Sequence, residues 1–210
     1  MTNNSTASPE ARLDVRFRLL IAPFFLSGFA ALVYQICWQR LLFVAFGVDI
    51  ESITIIVSTF MLGLGLGALL GGQLADRLPD RIIQLFALAE TGIGLFGLFS
   101  PDLIEGVGEL AIRSPLPVMA AANFFLLLIP TVLMGATLPM LVAFLVRTVG
   151  NVGVSIGGLY FINTMGAAAG ALAVGFLLLY YFDLDTTIRG AAVVNFLVSI
   201  GVLLLFRRPR

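Results

Sequence analysis

The sequence predicts an all-α, polytopic membrane protein: a six-helix transmembrane bundle with almost no soluble mass. Three observations carry that expectation. Of the 210 residues, 60% are hydrophobic and only 11% charged, whereas a soluble domain is about half apolar and a quarter charged. Six segments reach the roughly 20 apolar residues that a helix needs to cross a bilayer. The arginines are spread unevenly between alternate connections, as in helical membrane proteins.

Residues 1–16 read as a disordered cytoplasmic tail. The apolar run that follows, about 18–46, is too long for a signal peptide and has no A-x-A cleavage site, so it is expected to be the first span. The further spans are expected at 51–75, 82–100, 116–146, 152–181 and 187–206, followed by a basic cytoplasmic end at 207–210. Residues 17–206 thus form one domain. Pro23, Pro130 and Pro139 are the expected kink points. Short connections predict that sequential helices pack as antiparallel neighbours.

With the N-terminus inside, the inner side receives Arg12, Arg16, Arg18, Arg77, Arg81, Arg147, Arg207, Arg208 and Arg210. The outer connections receive Arg113 and Arg189. Arginine excess marks the cytoplasmic side, so an N-in, C-in topology is expected. The outer side also holds Asp49, Glu51, Asp102, Glu105, Glu109, Asp183 and Asp185.

Composition excludes several chemistries. The 12 basic residues, all Arg, balance 12 acidic ones, so no broad field attracts nucleic acid. Without His there is no imidazole base and no His-bearing metal site. The single Cys37 lies in an apolar run and reads as a buried, inert thiol. Gly63-Leu-Gly65-Leu-Gly67 lies inside an apolar helix and not between a strand and a helix, so it is no nucleotide loop. The polar residues include no plausible nucleophile–base pair. No catalytic residue, metal or cofactor is expected.

Helix association in lipid relies on close packing at small residues. Gly63, Gly67 and Gly71 on the second helix, and Gly166 and Gly170 on the fifth, are therefore packing positions, within the bundle or across a dimer. Glu90 is the most informative residue. It falls about nine residues into the third span, so a rise of 1.5 Å per residue places it near mid-membrane. A carboxylate there is costly and faces the bundle interior or a cavity, paired or protonated. Asn163, Thr164 and Asn195 fall at the same depth, and with Glu90 they are the candidate polar cluster. Gln35 and Arg40, further candidate binding residues, lie on the outer part of the first helix beside Tyr34 and Trp38, which read as anchors at the membrane interface. Arg40 is expected to find a partner in Asp49, Glu51 or a lipid phosphate.

The stretch Gly72-Gln73-Leu74-Ala75-Asp76-Arg77-Leu78-Pro79-Asp80-Arg81 resembles the G-x-L-A-D-R-x-G-R-[RK] loop of major facilitator transporters. That resemblance implies a gating loop of Gly72, Asp76, Arg77 and Arg81, with Asp76 paired to Arg as an inner latch. Pro79 and Asp80 depart from the pattern. The segments 27–42 (SGFAALVYQICWQRLL), 58–77, 127–141 and 159–178 together resemble the membrane domain of bacterial fused transporter–spermidine synthase proteins. Gln35 stands where those proteins often carry Glu, and no synthase domain follows the sixth helix. The resemblance implies one half of a major facilitator fold in a bacterial inner membrane. Two functions are expected from it. One is a half-size carrier for a cationic or polar, polyamine-like solute, completed by a homodimer or another membrane subunit. The other is a non-catalytic subunit that scaffolds a larger complex or anchors a separately encoded enzyme.

Overall fold

The computed structural model describes residues 9–46, 50–111, 114–149 and 152–206. The tail at 1–8, Asp49, Arg113 and the basic end at 207–210 lie outside these residues. The long helices are α1 (Pro9–Phe46), α2 (Ile50–Arg77), α3 (Ile82–Ala111) and α4 (Leu116–Val149). A 3-10 turn at Pro79–Arg81 leads into α3. Helix α5 runs over Val152–Ala173, loosens into a π-helical turn at Val174–Leu178 and closes with Leu179–Tyr181. The last helix, α6, is Leu184–Leu205. Six of these helices are long and apolar enough to cross a membrane. The chain is a multi-pass membrane protein, and its outward side chains contact lipid.

Two boundaries differ from expectation. Helix α1 starts at Pro9, so residues 9–16, expected as tail, are helical. Proline suits a first helical turn, where its missing N–H has no partner to lose. Helix α3 does not stop at residue 100 but continues through Pro101 to Ala111. A proline inside a helix orphans the carbonyl four residues earlier, here that of Gly97. The Ser100 hydroxyl donates to the Gly97 carbonyl at 3.0 Å, and the helix continues.

The expected pairing of sequential helices holds for α3 with α4 and is otherwise largely corrected. The most extensive contacts join α2 to α4, α1 to α5, and α3 to α6, whereas α1 and α2 barely touch. A short connection sets the direction of the next helix, not its lateral neighbour. Glycines choose the neighbours instead. A methyl at Gly67 would meet the Val132 carbonyl, and one at Gly71 the Ala136 backbone. Gly63 lies against Thr131, and Gly135 of α4 returns the contact to the Leu64 backbone. Gly166 and Gly170 admit the Phe25 and Phe29 carbonyls of α1.

The interior has two apolar clusters. One gathers around Tyr34, Trp38, Phe60 and Ile93; the other around Phe24, Phe86, Leu141 and Val198. Between them lie three buried polar side chains: Ser27 on α1, Glu90 on α3 and Asn195 on α6.

Candidate functional site

Asn195 is near the middle of α6, so whatever it binds lies at mid-span. Its Nδ2 donates to Glu90 Oε2 at 2.7 Å. From the opposite side the Ser27 hydroxyl of α1 donates to Glu90 Oε1 at 2.6 Å. Glu90 is 0% exposed. Three helices therefore meet on one carboxylate, and both of its oxygens are satisfied by short donors. Such bonds to an ionised group are the stronger kind, and they offset part of the cost of placing a carboxylate inside the bundle.

The α3–α6 seam continues one turn further. The Ser199 hydroxyl donates to the Ala87 carbonyl at 2.8 Å and lies 2.9 Å from the Thr91 hydroxyl. Asn195 and Ser199 share a helix face by their four-residue spacing, a signal the sequence carried. Ser27 carried none: an isolated serine in an apolar helix is ordinary, and only the tertiary contact gives it a role.

Beside this cluster is a cavity of about 130 Å³ lined by polar Ser27, Gln35, Thr137, Asn163 and Asn195 and by apolar side chains such as Phe60 and Met134. Asn163 and Asn195, which share a depth, thus line one cavity, together with Gln35 from the outer part of α1. Asn163 also packs on Gly28, where a methyl would collide with its carbonyl. Glu90 itself does not line the cavity. Thr164 is a correction: it is exposed on the outer face of α5. One residue is a 100° step around a helix, so Asn163 and Thr164 share a depth but not a face. Arg40 is exposed in the last third of α1 and outside the cavity lining. Of its expected partners, Asp49 and the Glu51 side chain lie outside the described residues.

A second set of buried groups locks α1 to α3. Tyr34 and Trp38 stack at 4.7 Å between ring centroids. Trp38 Nε1 donates to Ser100 Oγ at 2.7 Å, the hydroxyl that in turn holds the Gly97 carbonyl. The absent side chain of Gly97 makes room for the Tyr34 ring. The sequence singled out Tyr34 and Trp38 as interface anchors, but both are 0% exposed and belong to the core.

At the helix ends, Asp76 forms an ion pair with Arg147 of α4 at 3.0 Å. This corrects the expected latch, in which Asp76 would pair with Arg77 or Arg81. Residues 76 and 77 follow one another on a single helix and diverge, whereas α2 and α4 run side by side to this end. Gly72 is part of α2 and has open space around it. Both partners of the ion pair are substantially exposed, so it contributes about 1 kcal/mol at most. At the opposite end Arg189 lies 3.5 Å from Asp102. Asp183, just before α6, caps it by accepting from the Thr186 N–H at 2.9 Å. Hydrogen bonds from the Thr186 side chain and backbone hold its carboxyl below the usual carboxylate range. Among the described residues there is no cluster of His, Cys, Asp and Glu that could hold a metal.

No family model matches the chain, and no solved structure matches it. It is 24% identical, over 181 residues, to a polyamine aminopropyltransferase of Oceanobacillus iheyensis, an alignment covering 84% of this chain and 33% of that protein. The chain therefore spans about a third of the length of the relative it matches.

Proposed function

We propose that this chain is a transporter-like membrane protein of the bacterial inner membrane, a half-size carrier for a cationic or polar small solute. The observation that carries the reading is Glu90, a fully buried carboxylate gripped from two other helices beside a cavity at mid-span. Ionisable groups inside a membrane bundle mark solute or proton paths more often than they serve packing. Facilitator-type carriers place such a site between two six-helix halves. Six spans are one half, so a homodimer or a second membrane subunit completes the path, in an N-in, C-in orientation. The name of the similar protein, which contains the word polyamine, supports a polyamine-like cargo. In this reading the Asp76–Arg147 pair is the inner latch, and aminopropyl transfer is no function of this chain's own residues.

The test is uptake of radiolabelled putrescine into proteoliposomes under an imposed pH gradient. Glu90→Gln should abolish uptake while the protein still elutes as a folded particle. Unchanged uptake kinetics in that variant would refute the carrier reading.

A further inference from the structure

The two residues that hold Glu90 also line the cavity, while Glu90 does not. An ionised carboxylate can only accept hydrogen bonds. The Asn195 amide must therefore give its Nδ2 to Glu90, and its Oδ1 is left over, buried and without a hydrogen-bond partner. Protonation of Glu90 reverses this requirement, because the carboxylic acid has an O–H to donate. With the proton on Oε2, the amide must turn over, giving Oδ1 to the acid and Nδ2 to the place Oδ1 held. With the proton on Oε1, the Ser27 hydroxyl becomes the acceptor and its hydrogen swings away from Glu90. By either route a residue of the cavity wall exchanges an acceptor for a donor.

We infer that the cavity takes a primary ammonium group in competition with a proton on Glu90, and that Asn195 and Ser27 relay that competition. This rests on the reading of the cavity as a cation site. Two further observations fit it. Around Glu90 the described charged groups of the packed helices lie away from mid-span: Arg18 and Arg40 at least nine residues from Ser27 on α1, Arg147 of α4 with Asp76, and on α6 Asp185 together with Arg189, which faces Asp102. The countercharge is then supplied by the proton or by the ligand. The walls Phe60, Leu64, Ile93 and Met134 accept an alkyl tail, and an aromatic ring attracts an ammonium.

The experiment uses the full chain in detergent. Methylammonium chloride is titrated into weakly buffered protein with a pH-indicator dye, and binding is measured across pH 5–9. Binding should release protons, and on the acid side affinity should fall about tenfold per pH unit, as a one-proton competition requires. Asn195→Leu combined with Ser27→Ala removes both relays and should uncouple the two, so that residual binding releases no proton; Glu90→Gln should do the same. The wild-type profile decides the matter even where a variant fails to fold. Absent binding, pH-independent affinity, equal proton release by sodium chloride, or full pH dependence in the Asn195→Leu, Ser27→Ala double variant would each overturn the inference. Binding with proton release but no vesicle uptake would refute the carrier reading alone. Uptake with pH-independent methylammonium binding would refute this inference alone.

Discussion

Replacing Ser100 by Ala tests the lock between α1 and α3. The Ser100 hydroxyl is donor to the Gly97 carbonyl and acceptor from Trp38 Nε1. Its loss orphans one buried acceptor and one buried donor, each at a cost of about 1–3 kcal/mol. In membrane proteins such bonds contribute at the low end, because the unfolded chain also finds partners. The expected destabilisation of Ser100→Ala is therefore about 2 kcal/mol, divided evenly between the two groups. Pro101→Ala separates them. Residue 101 then has a backbone N–H, which bonds the Gly97 carbonyl in the ordinary helical way. In that background Ser100→Ala should cost only the tryptophan share, about 1 kcal/mol. Thermal unfolding in dodecyl maltoside, followed by fluorescence, gives both values, since Trp38 is the only tryptophan of the chain. For a chain of this size 1 kcal/mol moves the midpoint by about 2–4 °C. If Ser100→Ala costs the same in the wild type and in the Pro101→Ala background, within about 0.5 kcal/mol, the carbonyl is not rescued as described and the reasoning fails.

Glycines divide into two groups by what surrounds them. Gly67→Leu should prevent assembly, since its Cβ meets the Val132 backbone carbonyl, and size-exclusion chromatography should show aggregate. Gly65→Ala and Gly72→Ala have nothing within 4 Å and should be neutral or stabilising by up to about 1 kcal/mol, the helix-propensity gain. The Asp183 cap should be pH-dependent. Its pKa is depressed in the fold, so its stabilisation is complete above the unfolded value of about 3.9 and is lost as pH falls through the folded value. Hydrogen exchange at the Thr186 amide should accelerate below that pH in the wild type, and at all pH values in Asp183→Ala. Equal protection in both proteins would remove the cap from the account.

Depth along each helix was legible in the sequence, because apolar length and a fixed rise per residue locate a side chain between the two ends of a span. The six spans, the level shared by Glu90, Asn163 and Asn195, and the positions of Gly67 and Gly166 all follow from that arithmetic. Rotation about the helix axis was not legible. Lipid and protein interior are both apolar, so a membrane helix lacks the polar stripe that marks the outer face of a soluble one. Thr164 points outward for that reason although its neighbour Asn163 lines the cavity, and Trp38 turns into the core although its position suits the interface. Helix partners were hidden too: α2 chooses α4 over α1 through close backbone approach at glycines, a contact between segments more than sixty residues apart. Only the tertiary structure brings Ser27 to Glu90, Asp76 to Arg147 and Ser100 to Trp38, because each bond joins helices whose mutual rotation is set by packing and not by sequence order.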